Sequence, residues 1–181
     1  MAGRGRRRTT WVLAVAGLAL SGCGSTEPEP LEPVPPAVPA DLCASIPEDA
    51  RRDLTTSAST DETGNPTAAC ALRSEPGGRS DVRAVVTWTQ LNDEDSAKGV
   101  LESQCRSIDP AEFARQDPFD VEGGDDACAG KGKSADSATL AVLSGREVLT
   151  VRVSADPAGR PNAMSRGTTM AEGVLSSLAG G

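Results

Sequence analysis

The residue types present in this chain limit the chemistry it can perform. It has 181 residues and no histidine, so neither a Ser-His-Asp nor a Cys-His pair can exist. A general base near neutral pH would have to be a strongly shifted carboxylate or one of three lysines, Lys98, Lys131 and Lys133. Paired carboxylates for glycoside hydrolysis stay open, but a sugar-binding cleft needs more aromatic side chains than this chain has. We therefore expect that the protein is not an enzyme.

Two stretches contain residues of the types that bind phosphate or metal ions. Residues 127–134 read Ala-Cys-Ala-Gly-Lys-Gly-Lys-Ser, a loose match to a phosphate-binding loop, which needs a buried strand before it and a helix after it. An acidic run precedes this segment and a strand pattern follows it, so we expect a flexible loop and no bound nucleotide.

The acidic run could bind calcium, but its spacing does not match an EF-hand. Its carboxylates belong to Asp117, Asp120, Glu122, Asp125 and Asp126. A solvated loop is expected, with no metal or cofactor, and calcium stays the alternative.

Four cysteines, Cys43, Cys70, Cys105 and Cys128, lie in residues 41–181. An even number in an exported domain predicts two disulfides. Zinc is disfavoured because no C-x-x-C pair occurs. Three pairings are possible, and we predict Cys43–Cys70 and Cys105–Cys128 because each joins a helix to the next segment through a short loop.

The fifth cysteine, Cys23, ends the sequence Leu-Ser-Gly-Cys, which matches a lipobox. Before it come four arginines and the apolar run Trp11–Leu20, which is about ten residues long, whereas a membrane span needs about twenty. Residues 1–22 are therefore predicted to be a signal peptide, and Cys23 to carry lipid, with palmitate among its acyl chains. The general secretory route is preferred over the twin-arginine route, because threonines follow the pair Arg7-Arg8.

Residues 23–40 form a predicted tether between the lipid and the domain. Six prolines lie in residues 27–40 and favour an extended polyproline II chain that spans roughly 40 Å. Removal of the signal peptide takes away four arginines and no acid, which leaves 14 basic against 26 acidic residues. So acidic a chain is expected to repel nucleic acid and anionic headgroups. The expected partners are the membrane, through the lipid, and an envelope protein.

Residues 41–181 are long enough for one hydrophobic core and are predicted to form a single domain. A helix is predicted at 46–54, a loop at 55–67, and strands at 67–74 and 81–91, with Trp88 on the core face of the second strand. Asn92 or Asp93 begins an amphipathic helix that Pro110 ends, and residues 113–130 are expected to be irregular.

The last third of the domain predicts a hairpin and a helix. A two-residue turn at Gly145-Arg146 pairs Leu140 with Val151 and Val142 with Leu149, the register that places apolar residues opposite each other. Asn162 begins the helix and Gly180 ends it. The fold class is therefore α+β: an antiparallel sheet of about four strands, helices packed on one face, and two disulfides.

Three short motifs add a resemblance. They are Asp41-Leu42-Cys43, Cys70-Ala71-Leu72 and the run from Val121 to Ala127. Together they resemble the D-x-C, C-x-W and G-x-G-D-x-A pattern of a family of actinobacterial secreted lipoproteins of unknown function, although Leu72 replaces the tryptophan and the last turn reads Gly-Gly-Asp-Asp-Ala. The layout is also similar to extracellular sensor domains of mycobacterial receptor kinases. The resemblance implies an envelope location and a binding role, without naming a ligand.

These observations predict a lipoprotein at the outer face of the cytoplasmic membrane that works as a non-enzymatic binding or interaction module. The alternative is a carrier of a small apolar ligand, with a cavity between sheet and helices.

Overall fold

A computed structural model describes residues 38–75, 81–133, 136–155 and 162–180. The predicted signal peptide, the predicted lipidation site Cys23 and the tether up to residue 37 lie outside the described residues. Val38 is half-buried against the main core, so packing against the domain begins before the predicted boundary at residue 41. In the part of the chain that the structure describes, no helix has the length and apolar character needed to cross a membrane.

The described domain is built on a seven-stranded sheet in which every neighbouring pair is antiparallel. The strands are β1 Leu54–Asp61, β2 Thr67–Ser74, β3 Val82–Gln90, β4 Phe113–Gln116, β5 Asp126–Gly132, β6 Asp136–Ser144 and β7 Glu147–Ala155. Their order across the sheet is β1-β2-β3-β7-β6-β5-β4. The α+β class with an antiparallel sheet is confirmed, and the estimate of about four strands was wrong.

Three strands lie where loops were predicted. β1 occupies most of the predicted loop 55–67, and β4 and β5 lie within residues 113–130 or next to them. β1 is an edge strand, and seven of its eight side chains are exposed, so its sequence needs no apolar alternation. It is held by backbone pairing with β2 along its whole length.

The β6–β7 hairpin has the predicted register. Leu140 is opposite Val151 and Val142 is opposite Leu149, and all four are buried. The strands are joined by Gly145 and Arg146, and Gly145 has a φ of +56°, a conformation that glycine adopts without steric cost. Cross-strand burial of apolar side chains therefore fixes this register.

The helices are a 3-10 helix at Leu42–Ser45, α1 Glu48–Arg51, α2 Glu94–Ser107 and α3 Ala163–Ala179. Asp93 caps α2 by accepting a hydrogen bond from the Ser96 amide, and Asn162 caps α3 in the same way. The single helix predicted at 46–54 was wrong. Pro47 separates the 3-10 helix from α1, and β1 already begins at Leu54.

The helices pack on both faces of the sheet, which corrects the prediction that they share one face. We call the face under α3 the first face and the face under α2 the second face. Leu140 and Val142 of β6 belong to the first core with residues of α3. Ala141 and Leu143 of the same strand belong to the second core, under α2. Because successive side chains of a strand alternate between faces, four consecutive apolar residues in β6 require a cover on each side.

Each core contains one disulfide, and the pairing is the predicted one. Cys43–Cys70 joins the 3-10 helix to β2 on the first face, with 5.1 Å between Cα atoms. Cys105–Cys128 joins α2 to β5 on the second face, with 5.7 Å between Cα atoms. Trp88 has 0% exposure in the first core, as predicted for the core face of β3. The sheet is thus covalently tied to a helical segment on each side.

Candidate functional site

The second face of the sheet is only partly covered. The side chains of α2 pack over Leu91, Ala141, Leu143 and Val148 near the β6–β7 turn. Toward the other end of the strands the same face carries a different set of side chains, which we call the open face. It consists of Arg73, Arg83, Val85, Thr139, Arg152 and Ser154, which are exposed or half-buried.

Val85 is the exposed large hydrophobic residue of the described domain, at 45% exposure. It lies in β3, a strand with neighbours on both sides, where the preceding and following residues Ala84 and Val86 are buried in the first core. Alternation along β3 therefore places Val85 on the second face. Val85 is exposed there because the core under α2 does not extend to this part of the sheet.

Strand register brings three arginines together on the open face. Arg73 of β2 is directly opposite Arg83 of β3. Arg152 of β7 is opposite Val85, which makes it a diagonal neighbour of Arg83. Like charges directly opposite each other destabilise a sheet, so this arrangement costs the fold some stability.

Only one of these arginines is neutralised by a carboxylate within the described ranges. Arg83 donates from Nη2 to Asp81 at 3.0 Å and from Nε at 3.3 Å. Both side chains are more than 60% exposed, so the pair adds little stability. No ion pair of Arg73 or Arg152 is found among the described residues.

A shallow cleft of about 280 Å³ opens on this face. Arg83, Val85 and Arg152 contribute to its wall, together with Phe113 of β4 and the hydroxyl side chains of β6 and β7. Guanidinium groups donate paired hydrogen bonds to carboxylate or phosphate oxygens, and the valine and phenylalanine offer apolar contact. This arrangement can bind an anion with an apolar neighbour. It contains no pair of nucleophile and base.

A larger cleft of about 420 Å³ lies along α3. Pro47, Glu122 and Gly123 form one side of it, and Thr169, Glu172 and Gly173 are among the residues of α3 that form the other. No strand residue contributes to its wall. Neither cleft therefore lies between the sheet and the helices, where a carrier cavity was expected.

The acidic residues considered as alternative calcium ligands all lie in the described part of the chain. In residues 38–75, 81–133, 136–155 and 162–180, no group of three or more acidic or cysteine side chains is placed to hold a metal ion. The Asp125 carboxylate instead accepts a hydrogen bond from the Gly145 amide at 2.7 Å, which anchors the β6–β7 turn. Asp126 begins β5.

The segment that loosely matches a phosphate-binding loop is not the flexible loop expected. Residues 127–132 belong to β5, and Cys128 within them forms a disulfide. Gly130 lies where an added Cβ would be 2.5 Å from Ile108 Cγ2 and 2.9 Å from Phe113 Cβ, so the close packing of these two side chains accounts for a glycine here. Ser134 lies outside the described residues.

Among the residues that the structure describes, two carboxyl groups have a clearly lowered pKa, and both are structural. A side-chain hydrogen bond from Thr63, with a second from its backbone amide, lowers the pKa of Asp61. Hydrogen bonds from the backbone amide and the hydroxyl of Ser96 lower the pKa of Asp93. Neither residue lines either cleft.

The open face was not identified from the sequence. Alternation in β3 already places Arg83 and Val85 on the face opposite Trp88, so part of the signal was present. The neighbouring arginines come from β2 and β7, and β7 lies more than fifty residues later in the chain. No protein-family model, curated protein or solved structure matches this chain, so the candidate site is defined by its geometry alone.

Proposed function

We propose that this protein is a cell-envelope lipoprotein whose domain binds a protein partner through the open face. The observation that carries the proposal is Val85, an exposed apolar side chain in the interior of the sheet and beside two arginines. Interaction surfaces commonly combine exposed apolar groups with arginine. Binding requires a rigid surface, and two disulfides and the sheet provide one.

The location is supported by covalent chemistry. Disulfides persist in oxidising compartments, and this domain contains two. The lipobox ending at Cys23 and the proline-rich tether place the domain on the extracytoplasmic side of the membrane in our proposal. The lipid provides the membrane attachment in this proposal.

The interaction module is favoured over the carrier of an apolar ligand. Leu140, Met170 and Val174 have 0% exposure between the sheet and α3, where side chains fill the space that a carrier would keep open. An enzyme is also disfavoured, because the chain contains no histidine, the usual general base near neutral pH. Lipid extraction of the purified protein distinguishes the carrier, which should release a stoichiometric apolar compound.

Lipidation is tested by mass spectrometry of the N-terminal peptide from membrane fractions. The mature chain should begin at a diacylglyceryl-modified Cys23, and Cys23→Ser should release the protein from membranes or block its maturation. Unmodified Cys23 in the membrane-bound protein would contradict the anchor.

Partner binding is tested by a photo-crosslinking amino acid placed at Val85 and, as a matched control, at the exposed Ser103 on α2. A partner in intact envelopes should crosslink at Val85 and not at Ser103. The crosslink should disappear with Arg152→Glu. Equal crosslinking at both positions, or none at Val85, would refute the open face as the binding surface.

A further inference from the structure

We propose that the open face binds an extended polypeptide segment carrying carboxylates on alternate residues, and that Arg73, Arg83 and Arg152 recognise it. The inference rests on the proposed function and specifies the chemistry of the partner. It starts from the direct opposition of Arg73 and Arg83, a repulsive pair that nothing in the fold requires.

The charge of this cluster is opposite to that of the rest of the chain. The whole sequence has a formal net charge of −8, yet three arginines occupy adjacent strands on one face. Asp81 compensates Arg83, and Glu75 follows β2 at the same end of the sheet. Among the described residues, the three arginines therefore outnumber the two neighbouring carboxylates, and the cluster keeps a net positive charge. An anionic ligand would relieve the repulsion between the arginines.

The spacing of the arginines fits an extended peptide. Directly opposite side chains in a sheet are about 5 Å apart and diagonal ones about 7 Å apart. Alternate side chains of an extended peptide point the same way at a spacing of about 7 Å. A segment that crosses the strands can therefore place successive carboxylates against Arg73, Arg83 and Arg152, and each carboxylate can accept two hydrogen bonds from a guanidinium.

The apolar part of the face favours a polypeptide over other anions. Val85 lies directly opposite Arg152 and next but one to Arg83 along β3, and Phe113 lines the same cleft, so the methylene groups of glutamate side chains that reach the arginines would find apolar contact there. A polyanion such as nucleic acid or an anionic membrane would be repelled by the formal net charge of −8 of the whole chain. A short segment would feel mainly the charges of the arginine cluster itself, because salt screens charges that lie farther away than a Debye length, about 8 Å at physiological salt.

The test uses the mature lipidated protein in neutral detergent and two labelled synthetic peptides. One peptide has the sequence Glu-Val-Glu-Val-Glu and the other Gln-Val-Gln-Val-Gln, and binding is followed by fluorescence anisotropy. We expect the glutamate peptide to bind at least about tenfold more tightly, and its affinity to fall as salt is raised to about 0.15 M.

Charge reversal of the cluster should abolish this preference. Arg83→Glu and Arg152→Glu should each weaken glutamate-peptide binding at least about tenfold. Arg106→Glu is the matched control, because Arg106 is an exposed arginine of α2 that pairs with Glu102 and does not line the cleft. Circular dichroism and thermal unfolding of each variant check that the fold is retained, and a double variant with both reversals should prefer a Lys-Val-Lys-Val-Lys peptide.

Several results would overturn the inference. They are equal binding of the glutamate and glutamine peptides, no binding of the glutamate peptide up to about 1 mM, and an equal loss in Arg106→Glu. If inorganic phosphate or phosphatidylglycerol vesicles displaced the labelled peptide more strongly than unlabelled glutamate peptide does, the cluster would be assigned to a free anion or to a membrane, respectively. If the peptide fails while the Val85 crosslink succeeds, only the carboxylate chemistry is wrong. If both fail, the open face itself is not the binding surface.

Discussion

Two helix glycines differ in what surrounds them, and this difference predicts opposite effects of the same substitution. Gly99 in α2 is exposed, and nothing lies within 4 Å of the position that an alanine Cβ would take. Gly173 in α3 lies against Pro47, where an added Cβ would overlap both ring carbons Cγ and Cδ. A proline ring cannot rotate away, so α3 itself would have to move.

The expected free energies follow from these surroundings. Alanine stabilises a helix interior by about 1 kcal/mol relative to glycine, so Gly99→Ala should stabilise the domain by about that amount. Gly173→Ala gains the same propensity term, but forcing an extra methyl group into packed surroundings costs about 1–3 kcal/mol. Its net effect should be a loss of about 1 kcal/mol. The two variants should therefore differ by about 2 kcal/mol, or roughly 6 °C in Tm for a domain of this size.

Urea unfolding of the mature chain provides the measurement. Trp88 is fully buried, and the other tryptophan, Trp11, belongs to the proposed signal peptide, so we expect the fluorescence of the mature chain to report the core. The slope of free energy against urea should stay constant, and the midpoints should move in opposite directions. A shift of both variants in the same direction by similar amounts would show that the contact with Pro47 does not constrain α3.

Three further predictions concern stability. Replacing both Cys105 and Cys128 by alanine should cost about 3 kcal/mol from the loop-entropy term, measured as a lower unfolding midpoint than that of the disulfide-bonded chain. Asn162→Ala removes the acceptor at the start of α3 and should cost about 1 kcal/mol in the same assay, whereas an unchanged midpoint would show the cap to be dispensable. The pKa of Asp93 is lowered in the folded state, so its contribution is fully present above the unfolded value of 3.8 and is lost as pH falls through the folded value. The stability difference between the native chain and Asp93→Ala should therefore shrink on acidification below that value, and a difference that grows would refute the assignment.

The sequence predicted the elements whose burial leaves a periodic apolar pattern. The β6–β7 register followed from Leu140 and Val142 facing Val151 and Leu149, because moving the turn back by one residue would pair Val142 with the charged Glu147. The core-facing stripes of α2 and α3 were predictable for the same reason.

The missed elements have a different physical origin. β1 buries almost none of its side chains, so backbone pairing with β2 holds a strand whose composition resembles a loop. The second face was missed because the predicted hairpin considered only the face with Leu140 and Val142, and no cover was assigned to Ala141 and Leu143 on the other side of β6. The arginine cluster depends on the pairing of β3 with both β2 and β7, a long-range arrangement that no local pattern specifies.

The order of the disulfides along the chain has a consequence for how the protein matures. Each bond joins cysteines that follow one another in sequence, at separations of 27 and 23 residues. When an exported chain emerges with its N-terminus first, an oxidase that joins each new cysteine to the previous free one produces both native bonds without reshuffling. Cys23 precedes all four and would disturb this order as a free thiol. In our proposal its thioether to lipid removes it from exchange, so the anchor also protects the fidelity of oxidation.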